Sequence, residues 1–198
     1  MAVNDAAAGR RLVLIIGAPG SGKTTTASLA AQQCQDLLNY YSMGELLRQE
    51  LARGTQLGRQ AADFVNQGRL VPLAMVMSII TSAIRASDRN MVLIDGFPRS
   101  IEQAKALDDY LTSHSDIELA TVIEVVVSQA TARARTLSRA RGADDQLEIF
   151  NERMKIYLES LAEIEAFYVS KGLLERIDGE QGVSDVVAAM LSIIKRSH

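Results

Sequence analysis

Leu12-Val13-Leu14-Ile15-Ile16-Gly17-Ala18-Pro19-Gly20-Ser21-Gly22-Lys23-Thr24-Thr25 is the stretch that decides the fold. A short continuous apolar run ending at a glycine reads as a strand buried on both faces, because a half-solvated strand would alternate with polar residues. Gly17 to Thr24 then fit the pattern G-x-x-x-x-G-K-[ST], and helix-forming residues follow from Lys23 to about Gln35. The motif therefore sits between a buried strand and a helix, which is the context it needs. Glycines let successive backbone N–H groups turn inward around phosphate oxygens, the helix start adds positive potential, and Lys23 adds a mobile cation. Gly20, Ser21, Gly22, Lys23, Thr24 and Thr25 are the triphosphate-binding candidates. A hydroxyl of Thr24 or Thr25 is placed to ligate Mg²⁺ directly or through water.

Outward from this loop the pattern repeats. Leu37 to Tyr41, Met91 to Asp95, Ala120 to Val127 and Leu173 to Ile177 are further short apolar runs, each separated from the next by helical periodicity. Strands alternating with helices imply an α/β chain: a five-stranded parallel sheet of the P-loop NTPase type, covered by helices on both faces. Asp95 ends its strand, where a carboxylate is placed to hold Mg²⁺ or its water beside the loop. Along the long helix expected from about Gln146 to Ser170, Phe150, Met154, Tyr157, Leu161, Ile164 and Tyr168 recur at spacings of four and three and read as core packing.

Composition sets the outer limits. The 198 residues, 47% hydrophobic and 23% charged with three prolines, suit one domain over 1–198 and exclude disorder or a fibrous chain. No run approaches the ~20 apolar residues of a membrane helix. A net charge of -3 argues against nucleic-acid or anionic-membrane partners. The single cysteine, Cys34, excludes a disulfide framework and a multi-cysteine structural zinc site, and fits a reducing compartment such as the cytoplasm. A monomer is the default expectation.

A phosphate loop alone is shared by GTPases, motors, sensors and small-molecule kinases, so other residues must discriminate. Sixteen arginines stand against five lysines, and their positions matter more than their number. Arg48 follows Gly44-Glu45-Leu46-Leu47, Arg99 follows Asp95-Gly96-Phe97-Pro98, and Arg133, Arg135, Arg139, Arg141 and Arg153 crowd around a short turn. Guanidinium forks bind phosphate oxygens bidentately, and an enzyme whose acceptor is itself a phosphate must neutralise two facing polyanions. An alcohol acceptor would favour an aspartate base instead. Arg133 and Arg135 read as the solvated face of their helix, and His114 and His198 as surface residues.

Together these segments resemble the adenylate kinases, of the nucleoside monophosphate kinase family, in a short-lid form. The resemblance is carried by Gly17 to Lys23, Gly44-Glu45-Leu46-Leu47-Arg48, Gly68-Arg69-Leu70-Val71-Pro72, Asp95-Gly96-Phe97-Pro98-Arg99 with Gln103, and Asp144-Asp145 with Arg153. They fall in order over almost the whole chain. The resemblance implies the reaction ATP + AMP ⇌ 2 ADP, with Mg²⁺, through a small helical NMP-binding insert at 42–71 and a very short lid at 139–145. It implies Lys23, Arg99, Arg139 and Arg153 as catalytic residues and Gly179 as the backbone beside the ATP adenine, with Arg139 also gripping ATP. The AMP side would be formed by Met43, Arg48, Arg69, Leu70, Val71, Gly96, Phe97, Pro98, Arg99, Gln103, Arg141 and Arg153, and the metal side by Thr24, Thr25 and Asp95.

The chain departs from that pattern in four places. Thr24 stands where the family usually has glycine, and Met43 where it has a threonine whose hydroxyl lies near the AMP base. Leu73 and Ala74 replace a common acidic pair, and Gly142 occupies the place of a lid arginine, which Arg141 is expected to fill. Met43 keeps a UMP/CMP kinase, or a nucleotide-binding regulator with weakened transfer, as alternatives. A small lid excludes water less completely, so some ATP hydrolysis without acceptor, or slow transfer, is expected.

Overall fold

A computed structural model describes residues 9–138 and 147–198. The elements run β1 (Arg10–Ile16), α1 (Lys23–Gln32), β2 (Leu38–Ser42), α2 (Met43–Ala52), α3 (Gln56–Asn66), α4 (Leu73–Ala86), β3 (Met91–Asp95), α5 (Ile101–Thr112), β4 (Ile117–Val126), α6 (Gln129–Ser138), α7 (Leu147–Ser170), β5 (Leu174–Asp178) and α8 (Val183–Arg196). All five strands are parallel, in the order β2-β3-β1-β4-β5. The expected lid, with Arg139, Arg141, Asp144 and Asp145, lies outside the described residues.

The alternation of side chains along each strand divides the core in two. Leu12, Leu14, Ile16, Val92, Ile94 and Val122 face one side, packed with residues of α4, α5 and α7. Val13, Ile15, Met91, Leu93, Ile123 and Val125 face the other, against α1 and α8. β1 is thus buried on both faces, as its unbroken apolar run requires. Burying each such side chain contributes roughly 1.5–3 kcal/mol.

Strand β4 begins earlier than its apolar run, at Ile117, because β1 recruits it: Arg10 pairs with Ile117 and Arg11 with Glu118 before the register shifts between Leu12 and Val13. Helix α1 ends earlier than expected, at Gln32, where Gln33 and Cys34 donate back to Ala30 and Ala31 in a tight turn.

At the carboxyl edge of the sheet the register aligns three strand ends. Ile15 pairs with Asp95, and Asp95 with Ser42. The loop after β1, the Gly96–Arg99 turn after β3 and the start of α2 therefore emerge side by side. This is the switch point of an open parallel sheet, where successive connections leave toward opposite faces and a crevice opens.

Helices α2 and α3 cross tightly. A Cβ on Gly58 would collide with the Glu50 carbonyl, whereas one on Gly54, at φ +60°, would meet open space. Gly58→Ala is therefore expected to lower the unfolding free energy by roughly 1–3 kcal/mol through overpacking, and Gly54→Ala by about 1–2 kcal/mol through backbone strain alone. Urea titrations in which Gly58→Ala left the midpoint untouched would contradict this close crossing.

Candidate active site

The loop from Gly17 to Gly22 bends where only glycine bends easily. Gly17, Gly20 and Gly22 have φ of 144°, 85° and 89°. A Cβ on Gly17 would approach the Val125 carbonyl to 2.6 Å, and one on Gly20 would collide with the Ala132 carbonyl. The loop is thus seated between β4 and α6. Gly22 stands at the N-cap of α1, so no side chain caps the helix and its first N–H groups face the crevice. Ser21 is 1% exposed and its Oγ is buried without a hydrogen-bond partner. Lys23 Nζ donates to the Ala18 carbonyl at 3.1 Å, folded back across the loop.

Below the loop, Thr24 Oγ1 donates to Asp95 Oδ2 at 2.5 Å, and the Tyr40 hydroxyl approaches the same oxygen at 3.4 Å. Asp95 is 1% exposed, and its other oxygen, Oδ1, is buried with no partner. Burial first, and then the Asp95 carboxylate, push the Tyr40 phenol above its ordinary range, so it stays a hydrogen-bond donor. A buried, unpartnered carboxylate oxygen beside a threonine hydroxyl suits a hard divalent cation that brings its own waters and phosphates. Thr25 is exposed on α1 and outside the cleft lining, so the structure brings Thr24, not Thr25, to Asp95.

One cleft joins the loop to the expected acceptor side. Gly17, Gly20, Lys23 and Thr24 line it together with Arg48, Asp95, Gly96, Pro98, Arg99 and Arg153. Next to it is a compartment of about 40 Å³ walled by Met43, Arg69, Leu70, Val71 and Gln103, and shared with Arg48, Gly96, Arg99 and Arg153. Residues from α2, from the segment after α3, from the turn after β3 and from α7 thus meet around one space. Phe97 does not line it; the ring is fully buried in the core beneath the turn.

Arg48 and Arg99 are parked on internal acceptors. Arg48 is paired with Glu45 at 3.0 Å, and Arg99 Nε donates to the Gly96 carbonyl at 3.0 Å. Arg69 lies over the Phe64 ring at 5.1 Å. Gln103 is 4% exposed, and its side-chain oxygen accepts from Arg99 N at 2.8 Å, so the amide is oriented by the backbone it follows.

Two expectations are corrected by this geometry. Arg135 is no solvated helix residue: its Nη1 donates to the Gly179 carbonyl at 2.9 Å and to the Ser21 carbonyl at 3.2 Å, tying the phosphate loop to the β5–α8 turn. Gly179 is fixed from its other side by donation to the Val126 carbonyl at 2.8 Å. The α7 stripe also divides. Phe150, Met154 and Tyr168 are buried away from the cleft, Tyr157 and Leu161 line it, and Ile164 is buried and reaches its wall. A spacing rule places all six on one side of the helix and cannot tell core from crevice.

Residues 15–173 match the family model described as Adenylate kinase. The chain belongs to the adenylate kinase family. It is 56% identical over 185 residues to an adenylate kinase of a Nitratiruptor species, covering 93% of this chain and 95% of the relative. It is 51% identical to an adenylate kinase of Nautilia profundicola, covering 94% and 97% of the two chains. An adenylate kinase of Helicobacter pylori is 46% identical, at 93% and 97% coverage. The chain is accordingly an enzyme, a nucleoside monophosphate kinase of nucleotide-binding type. Among the described residues no helix is long and apolar enough to cross a membrane.

Arg135→Leu removes both ties from the kinase's phosphate loop while leaving the acceptor compartment intact. One charge-assisted hydrogen bond is worth roughly 1.5 kcal/mol, or tenfold. The expected outcome is a KM for ATP raised about tenfold with the KM for AMP within about twofold. Equal effects on both would show that the tie does not act on the loop.

Proposed function

We propose that the chain transfers the γ-phosphoryl group of ATP to AMP, ATP + AMP ⇌ 2 ADP, by charge neutralisation and positioning without a general base. The observation that supports this reading is the composition of the cleft. Among the described residues its lining brings Lys23, Arg48, Arg99 and Arg153 together against one carboxylate, Asp95. A phosphate acceptor is ionised near neutral pH, so its oxygen needs alignment rather than deprotonation. What opposes transfer is the repulsion between two polyanions, and a set of fixed cations removes it.

In this reading the loop N–H groups, that of Thr25 among them, cradle the ATP phosphates with Ser21, Thr24 and Lys23, and Gly179 lies beside the adenine. Arg48 and Arg99 grip the AMP phosphate, and Gln103 meets the base edge. Arg69, Leu70 and Val71, with Met43, wall the AMP nucleoside, and Gly96, Phe97 and Pro98 shape the turn that presents Arg99. Arg153 reaches the transferring group. Arg139 and Arg141 belong to the same reading as lid cations over ATP and AMP. The insert at 42–71 and the lid at 139–145 close over the two nucleotides, and the enzyme works as a cytoplasmic monomer.

Mg²⁺ fits beside Thr24 and Asp95, whose unpartnered oxygen faces no competing donor. When bound, it neutralises the phosphate oxygens of ATP. Thr24→Val keeps the side-chain volume but deletes the hydroxyl. It is expected to weaken binding of Mn²⁺ with ATP roughly tenfold, read by paramagnetic resonance of the ion. Unchanged ion binding would contradict the role of that hydroxyl.

The activity itself is tested by ADP formation from ATP and AMP with Mg²⁺, repeated with CMP, UMP and GMP. AMP is expected to be the preferred acceptor, and Arg99→Ala to lose ~10³-fold in rate, the value of an arginine at a transferring phosphate. Binding of AMP with no ADP formed, or a preference for UMP or CMP, would overturn the reading.

A further inference from the structure

Behind the cleft wall a buried carboxylate, Glu124, is met by the half-exposed Arg176 in a charged cluster that the chemistry above does not use. Glu124 of β4 pairs in register with Ile16 of β1 and Arg176 of β5. It is 1% exposed and points, two residues on from Val122, toward the face covered by α7. Its Oε2 accepts from Arg176 Nε at 3.0 Å, and Arg176 Nη2 donates in turn to Glu165 of α7 at 2.7 Å. Its Oε1 accepts the Tyr157 hydroxyl at 3.3 Å.

Two carboxylates, Glu124 and Glu165, share the one guanidinium of Arg176. Burial, and then the neighbouring Glu165, push the Glu124 carboxyl up, while Arg176 pulls it down. Burial and then the charge of Glu124 push the Tyr157 phenol above its ordinary range, so it remains the donor. A carboxylate with both oxygens bonded to two different elements is built to hold those elements together, and here they are α7 and β5.

Tyr157 stands four residues after Arg153, one turn further along the same face of α7, and both line the cleft. On its other side, Arg153 is packed against the end of the α3 segment: a Cβ on Gly68 would lie 3.1 Å from Arg153 Cγ and 3.1 Å from Ile149. Arg153 thus touches the insert, while Tyr157, one turn further on, hydrogen-bonds the sheet; Phe150, Met154, Ile164 and Tyr168 bury the helix, and the Tyr157 hydroxyl adds a directional bond beside Arg153. A rotation of α7 by about 10° moves a group about 8 Å from the helix axis by about 1.4 Å, and misplacement of about 1 Å costs as much as 10²-fold in rate.

We propose that the Tyr157–Glu124 hydrogen bond, braced by Arg176 and Glu165, fixes the rotation of α7 on the sheet and thereby positions Arg153 for phosphoryl transfer. Tyr157 is a positioning residue: it acts through Arg153. The inference rests on the reading of Arg153 as a contact to the transferring group.

Steady-state kinetics of the full chain, Tyr157→Phe, Arg153→Ala and the double variant test it, with thermal unfolding of each as a control. Tyr157→Phe keeps the ring and loses only the hydroxyl. It is expected to lower kcat about tenfold with both KM values within about twofold, and to have less than a twofold effect on kcat once Arg153 is alanine. Glu124→Leu, which removes the acceptor, is expected to reproduce the loss, and Glu124→Gln, which keeps one, to recover most of it. A tenfold loss that persists in the Arg153→Ala background overturns the anchor and leaves the role of Arg153 standing. So does wild-type kcat in Tyr157→Phe, or a change confined to KM. An Arg153→Ala enzyme with unchanged kcat removes the reading on which the anchor depends.

Discussion

The architecture depends on one backbone constraint: the chain must turn from a fully buried strand into a helix while keeping its N–H groups free to face an anion. Positive φ at Gly17, Gly20 and Gly22 allows the turn, and contact with the Val125 and Ala132 carbonyls leaves no room for side chains at Gly17 and Gly20. A substituted loop would be pushed outward, away from β4 and α6, and the hollow would open. Because the same sheet register aligns Ile15, Asp95 and Ser42, whatever occupies the hollow is brought against the carboxylate and the start of α2. The position of the site is thus a consequence of parallel strand order before any side chain is chosen.

Some contacts of the cations around that hollow are weak ones. Lys23 and Arg99 rest on backbone carbonyls, and Arg48, close to half exposed, on Glu45. Exposed ion pairs of this kind contribute about 0–1 kcal/mol, whereas guanidinium forks on phosphate oxygens in a water-poor cleft are stronger. Exchange of the first for the second costs little. The resting contacts keep the arginines close to where they are needed without competing with a polyanionic ligand. Contacts deeper in the molecule are of another kind: Arg135 on Ser21 and Gly179, and Glu124 between Tyr157 and Arg176, connect elements rather than await a ligand.

Most of the fold is legible in the sequence because the helices and strands are punctuated by strong local signals. The unbroken apolar runs at Leu12 and Met91 specify strands buried on both faces, and the phosphate loop specifies its own flanking elements. The convergence of Arg48, Arg99, Gln103 and Arg153 is legible only through the family resemblance, since nothing in their separate neighbourhoods says that α2, the β3 turn and α7 meet. The early start of β4 is hidden because a neighbouring strand, rather than its own pattern, draws Ile117 to Leu119 into the ladder. Arg135 escapes a reading of the sequence for a related reason: its partners are carbonyls, and carbonyls leave no trace there. Tyr157 shares its periodicity with core residues and packs partly against Phe150 and Met154, yet it also faces the crevice. Thr25 and Phe97 show the reverse, residues inside a motif whose side chains stand away from the space the motif builds.

The proposed transfer requires the cleft to hold two nucleotides end to end, phosphates facing, with one set of cations serving both. Calorimetric titration with a compound joining two adenosines through five phosphates tests it most directly, because such a compound fills both compartments with a single association cost. One molecule is expected to bind per chain, at least about 10²-fold more tightly than ATP or AMP alone. Affinity no greater than that of ATP, or two molecules bound per chain, would contradict it.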